Sequence, residues 1–205
     1  MLDNRKNGYV LRGEEKRKQI IESAKAVFLE NGYRNATVTL FAKHAGVGYG
    51  TVYDHFSKGK DEILLYIMED IMGDFYKVAS VVYTPESKSE AFRFTLKNTT
   101  DYLELATIHK NWLALFYEAI GHSIDVRHQW EEITEKFIER ISQNVEIVKQ
   151  KGLIRNVDFD TRVVAGLLYY PGENYLWKIA LGKTSKDYRD IARDITEVYT
   201  HGLFK

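Results

Sequence analysis

Cysteine is absent from the 205 residues, which excludes disulfides and thiolate metal sites and fits a reducing compartment. Proline is scarce: Pro85 and Pro171 are the two in the chain, leaving long stretches free for uninterrupted helices. There is no run of about 18 apolar residues, so no transmembrane helix is expected. The first residues, "MLDNRKNGYVLRGEEKRKQ", are basic but lack an apolar core and do not read as a secretion signal. Net charge is missing as well, with 29 basic against 29 acidic side chains. Total charge therefore says nothing about a nucleic-acid partner. Together these absences predict a cytoplasmic chain that makes no membrane contact.

What is present suits a soluble globular protein: 44% hydrophobic, 28% charged and 13% aromatic residues. Strand-like alternation is scarce and the apolar spacing is mostly three and four, so the fold class is all-α. Ile20, Ala24, Val27 and Phe28 mark one helix that ends at Asn31-Gly32, a C-cap pair. Val38, Phe41, Ala42 and Ala45 mark a short second one. Leu64, Ile67, Met68, Ile71, Phe75 and Val78 mark a long one. "TPESKSE" is a loop holding a helix start. Further helices are predicted over about 87–107, 110–121 and 124–151, and, after a break at "GLIRNVDFD", over about 160–182 and 187–203. Two domains are expected, a small head over 1–60 and a larger helical body over 61–205.

Charge is unevenly spread. Residues 1–60 hold 11 Lys and Arg against 6 Asp and Glu, and the body carries the compensating acidic excess. A basic head suits contact with phosphate; chance accounts for the same excess. The glycines at 46, 48 and 50 raise a choice between a phosphate loop and a turn. A dinucleotide fingerprint fails, because the third glycine position falls on Thr51 or Tyr53. No P-loop pattern exists, and no parallel strands accompany the glycines. The helix-turn-helix reading fits better. Ala42 is small where a second helix must approach, and Gly46 sits where the turn needs positive φ. Val47 and Val52 are spaced to bury against Phe41 and Ala45, and Thr37 can cap the first short helix. A reading helix then runs from about Gly48 to His55 and exposes Tyr49, Gly50, Thr51, Tyr53 and His55. Gly48 and Gly50 each cost roughly 1 kcal/mol of helix stability, offset by close approach of the backbone to a major groove.

"TVTLFAKHAGVGYGTVYDHFSKGKDEIL" resembles the DNA-binding segment of the TetR family of bacterial regulators. The shared pattern is A-x-x-A-G-V-x-x-G-T-x-Y-x-H-F followed by a lysine and an acidic helix start. The resemblance is strong over about 14–66 and extends further only in the layout of helices. It implies three N-terminal helices on DNA and a larger helical domain that binds a small molecule and dimerises. Carried over residue by residue, it places Thr37 and Thr39 at backbone phosphate, Tyr49 and Gly50 on the base-reading face, and Thr51, Tyr53 and His55 at phosphate. The family's spacing of phenylalanine to lysine is one residue shorter than Phe56-Ser57-Lys58-Gly59-Lys60, so either Lys58 or Lys60 holds phosphate. Gly48 stands where a serine is common. Bland readings remain beside these: Tyr53 and Phe56 as core, His55 as a charge partner for a helix C-terminus. Arg5, Lys6 and Arg12 form either a minor-groove arm or a frayed tail.

In the body, all three tryptophans and many tyrosines gather. Tyr102, Trp112, Phe116, Tyr117, Tyr169, Tyr170, Glu173 and Trp177 are the candidates for a small-molecule pocket, with plain core as the alternative. Pro171-Gly172 inside "YYPGENYLW" predicts a kink on the pocket wall or a packing bend. Val164, Leu168, Ile191, Ile195 and Val198 are candidates for a four-helix dimer contact. Glu118 and His122 stand at i, i+4; without H-E-x-x-H they suggest helix-surface pairing, not a zinc hydrolase. No catalytic residue, metal or cofactor is assigned, and no enzyme is expected. The expected partners are a double-stranded DNA operator, an apolar or aromatic effector and a second copy of the chain. The alternative is a body that binds a protein.

Overall fold

The computed structural model describes residues 2–155 and 158–203, with side chains from residue 13 onward. The arm expected at Arg5, Lys6 and Arg12 falls on side chains outside the described residues, as do Asn156 and Val157 of the "GLIRNVDFD" break. Among the described residues there are nine helices and no strand. They are α1 (Leu2–Asn35), α2 (Val38–Ala45), α3 (Tyr49–His55), α4 (Lys60–Ala79), α5 (Lys88–Ile108), α6 (Lys110–Ile120), α7 (Ile124–Gln150), α8 (Thr161–Ala180) and α9 (Tyr188–Leu203). None of them is long and apolar enough to cross a membrane.

Local chemistry sets the boundaries. α1 is interrupted at Gly32 (φ 72°, ψ 173°), where the sequence places a C-cap glycine. Ser87 caps α5 by accepting from the Glu90 N–H at 3.2 Å. Asp160 caps α8, accepting from Arg162 N–H at 2.7 Å and Val163 N–H at 3.3 Å. α8 runs on through Pro171 without leaving helical conformation. The missing Pro171 N–H deprives the carbonyl of Leu167, four residues back on an exposed face where water can replace it.

The described chain divides into two compact units. One comprises Met1–Asp70 with Leu115–Gln129, the other Ile71–Ala114 with Trp130–Lys205. In the first, α1, α2 and α3 pack on each other. Ile20, Ala24, Phe28, Phe41, Val52, Phe56, Leu64 and Phe116 are fully buried, and the rings of Phe28 and Phe41 lie 5.0 Å apart. Burying each of the larger of these side chains contributes roughly 1.5–3 kcal/mol. In the second unit α5 packs on α8 and α9. Leu103, Ile191 and Ala192 centre one apolar cluster; Tyr83, Ala91, Val145, Val148 and Leu203 centre another. Ile191 and Val164 face inward there. The apolar residues left outward on α8 and α9 are Val163, Leu167, Tyr170 and Val198, the last 79% exposed. Of the five residues suggested for a dimer contact, Val198 is the one lying openly on this face.

Candidate functional site

The turn between α2 and α3 is built as its residues require. The Thr37 hydroxyl accepts from Leu40 N–H at 3.3 Å and caps α2. Gly46 ends α2 in the left-handed region (φ 63°, ψ 31°), and Val47 N–H then reaches Ala42 O at 3.0 Å. A β-carbon at position 46 would clash with nothing, so conformation and not space demands glycine there. Val52 anchors α3 in the core, and Phe56 is fully buried just beyond it.

The outward face of α3 carries Tyr49, 55% exposed, and Tyr53. The Tyr49 hydroxyl donates to the Tyr53 hydroxyl at 3.3 Å, and their rings are 5.1 Å apart. Thr39, Gly48 and Gly50 are exposed, and Thr51 and His55 are half-buried. A β-carbon on Gly50 would meet nothing within 4 Å, so packing inside the protein does not require glycine.

The two candidate lysines differ. Lys60 Nζ donates to Tyr33 O at 3.0 Å and to Ala36 O at 3.5 Å, and stands 4.1 Å over the Tyr33 ring. Lys58 has an exposed side chain whose Nζ is 3.9 Å from Asp125. The extra residue before α4 is absorbed at Gly59 (φ 65°), where a β-carbon would press on Val38 Cγ2 at 3.3 Å.

Sequence reasoning missed a polar network beside this turn. The break at Gly32 frees backbone N–H groups, and the Glu118 carboxylate collects them: Tyr33 N–H at 3.1 Å and Arg34 N–H at 3.3 Å. Arg34 Nε is 3.4 Å from the same carboxylate. The i, i+4 spacing suggests Glu118 with His122; Glu118 instead serves the end of α1, while His122 stacks on Tyr33. Asp61 accepts from the Tyr33 hydroxyl at 2.7 Å and from the Ser123 hydroxyl at 2.8 Å. Ser123 in turn caps α7 by accepting from Val126 N–H at 3.3 Å. Burial, followed by the Asp61 carboxylate, pushes the Tyr33 phenol well above its ordinary range. No local spacing marks partners 62 and 85 residues apart.

The second unit holds an apolar cavity. Phe75, Tyr102, Phe137 and Tyr169 line it. The Phe137 ring lies 5.9 Å from Tyr102 and 5.8 Å from Tyr169. Of the eight pocket candidates, Tyr102 and Tyr169 line this space; Trp112, Phe116, Tyr117, Tyr170, Glu173 and Trp177 do not. Phe116 is core, and Tyr117 and Tyr170 are exposed. Glu173 accepts from Trp130 Nε1–H at 2.7 Å, with Trp177 4.5 Å from Trp130. Burial raises the Glu173 pKa, against the bonds from Trp130 and Thr134. Gly172, not Pro171, lines the cavity; Pro171 borders an outer groove with Leu167, Tyr175 and Val198.

Asn144 and Arg140 of α7 are cavity residues that no aromatic pattern marks. The Tyr102 hydroxyl and Asn144 Oδ1 are buried without a hydrogen-bond partner. Burial, followed by the nearby Tyr169 and Glu173, raises the Tyr102 pKa; the Tyr102 and Tyr169 hydroxyls lie close but make no well-formed hydrogen bond, and that of Tyr169 pairs with Thr134 at 3.2 Å. Each unpartnered atom costs roughly 1–3 kcal/mol. Among the described residues no three His, Asp or Glu side chains converge as a metal site.

Residues 20–67 match the family described as bacterial regulatory proteins, tetR family. The chain is 46% identical over 57 residues to the fatty acid metabolism regulator protein of Bacillus subtilis (strain 168), covering 28% of this chain and 29% of that protein. It is 27% identical over 164 residues to the HTH-type transcriptional regulator SrpR of Pseudomonas putida, covering 76% and 75%. The solved structure of the transcriptional regulator FadR from Bacillus subtilis in complex with stearoyl-CoA has the same fold: TM-score 0.70 at 21% identity, covering 90% of this chain and 98% of that one.

Proposed function

We propose that this chain, which belongs to the TetR family of bacterial regulatory proteins, is a ligand-responsive dimeric repressor that binds a palindromic DNA operator in the cytoplasm and leaves it when an apolar or aromatic small molecule binds. Residues 1–60 form the DNA-binding head and 61–205 the ligand-binding and dimerising body. The observation that carries the reading is the outward face of α3. It presents paired tyrosines beside glycines that internal packing does not require, as close approach to a major groove would need. Tyr49 and Gly50 read bases, Gly48 lets the backbone approach, and Thr37, Thr39, Thr51, Tyr53 and His55 hold phosphate. Lys58 takes the phosphate role, because Lys60 is spent on Tyr33 and Ala36 carbonyls. Two chains pair through the exposed apolar face of α8 and α9.

The cavity supports a small-molecule effector over a protein partner, and a structure of this fold solved with stearoyl-CoA supports the same choice. The ligand must favour one spacing of the two heads, since equal affinity for both would shift nothing. The test is selection from randomised duplex DNA with salt titration. We expect an inverted repeat with half-site centres about 34–36 Å apart or somewhat more. Tyr49→Ala should change the preferred sequence, and Thr51→Ala should weaken all sites alike. Lys58→Ala should lower the salt slope of the dimer by about 2, one phosphate contact from each subunit, while Lys60→Ala should leave the slope and lower stability by about 1 kcal/mol. An unchanged sequence preference in Tyr49→Ala removes the base-reading role. A monomer in sedimentation at micromolar concentration removes the dimer.

A further inference from the structure

We infer that the cavity takes an amphipathic acid, its apolar chain lying among Phe75, Phe137, Val145 and Val148 and its carboxylate held by Arg140, Tyr102 and Asn144. The inference rests on the ligand-binding reading above and adds the chemical class. Three lining groups carry it. The Tyr102 hydroxyl and Asn144 Oδ1 are buried with no hydrogen-bond partner in a cavity otherwise walled mostly by apolar side chains. Buried polar groups in native proteins are paired, so two orphans on residues that line one cavity point to a polar group that arrives from outside. The third group is Arg140, one helical turn before Asn144 on α7 and on the same face of it. Its Nε donates to Ala79 O at 3.1 Å and its Nη2 to Val81 O at 3.3 Å, and among the described residues it makes no ion pair with a carboxylate.

A guanidinium held only by carbonyl dipoles keeps its full charge for an anion. A carboxylate satisfies all three groups at once. It accepts from the Tyr102 O–H, from a guanidinium N–H, and from the Asn144 amide N–H once that side chain is turned by half a rotation, an orientation set by hydrogen bonding alone. A neutral alcohol could engage Tyr102 and Asn144 but would leave Arg140 unanswered. The Glu173 carboxyl also lies near Tyr102, but it is already engaged by Trp130.

The test is calorimetric titration of the full chain with dodecanoate, with 1-dodecanol and with dodecanoyl-coenzyme A, each below its micellar or solubility limit. Dodecanoate should bind about tenfold or more tightly than dodecanol, the worth of one hydrogen bond to a charged group. Arg140→Gln should weaken dodecanoate by about the same factor and leave dodecanol unchanged. Because Arg140 also ties down the end of α4, Tyr102→Phe serves as a second variant that removes a single oxygen; it too should weaken dodecanoate selectively. Equal binding of acid and alcohol, or variants that weaken both alike, overturns the inference. So does a preference for the coenzyme A ester that Arg140→Gln leaves intact. If these lipids fail while another lipophilic molecule binds in the cavity, the acid class falls and the ligand reading stands. If no small molecule of any class binds while operator DNA does, the ligand reading falls with it.

Discussion

In the unit formed by Met1–Asp70 and Leu115–Gln129, each carboxylate of the polar network has its donors: Asp61 holds the hydroxyls of Tyr33 and Ser123, and Glu118 holds the amides of Tyr33 and Arg34. In the unit formed by Ile71–Ala114 and Trp130–Lys205, the hydroxyls of Tyr102, Thr196 and Thr200 and the carbonyl oxygen of Asn144 are buried with no partner. The network of the first region is thus finished, while the second leaves these atoms open beside partnered ones such as the Tyr169 hydroxyl. A finished network fixes one geometry, as a surface that must match another molecule's register requires. An open one tolerates its own cost until something completes it.

The comparison can be broken by a single atom. Tyr33→Phe should destabilise the protein by about 2 kcal/mol, because it strips a charged acceptor of its donor. Tyr102→Phe should instead stabilise the ligand-free protein, by up to about 1 kcal/mol, because it removes an oxygen that nothing satisfies. Urea denaturation of both variants reads the two signs. Equal losses would mean that the Tyr102 hydroxyl has a partner and that the two regions do not differ.

A smaller effect separates stability from function. Gly50→Ala should raise stability by about 0.5–1 kcal/mol, since alanine favours helix and its β-carbon meets nothing. Operator binding should fall at the same time. A variant that binds operator normally would show that the glycine has no role at the interface.

The smallest effect is in the pH dependence. Burial raises the Glu173 carboxyl above its ordinary value of 4.5, so the folded state holds that proton more tightly than the unfolded one. The resulting stability is full below about pH 4.5 and is lost as pH rises through the raised value. Glu173→Gln, which keeps an acceptor for Trp130, should remove that decline. If the stability curve of the variant runs parallel to the parent across this range, burial at 173 does not govern the titration.

Legibility in the sequence followed chain separation. The cap at Thr37, the turn at Gly46 and the anchors Val52 and Phe56 act on neighbours within a few residues, so spacing alone exposes them. Helix positions were readable for the same reason, as apolar periodicity is local. Glu118 and Ser123 were not, because what they serve lies far away in the chain. Aromatic content alone does not trace the cavity lining. Trp112 and Phe116 share a helical face as wall residues do, but the lining also takes Arg140 and Asn144, which no stripe announces. Pro171 signals a bend; α8 stays helical through it, with Leu167, whose carbonyl loses its donor, an exposed residue.

The bond between the Tyr49 and Tyr53 hydroxyls has a kinetic side. With their rings 5.1 Å apart and tilted at 56°, the two phenols hold each other in one arrangement before anything touches them. The pair favours one arrangement, so a molecule docking on α3 meets two side chains with less rotamer freedom left to lose. Rotamer freedom that would otherwise be surrendered on contact is surrendered during folding. Removing either phenol therefore loosens the other, and the two positions should respond to substitution as one unit, less than additively.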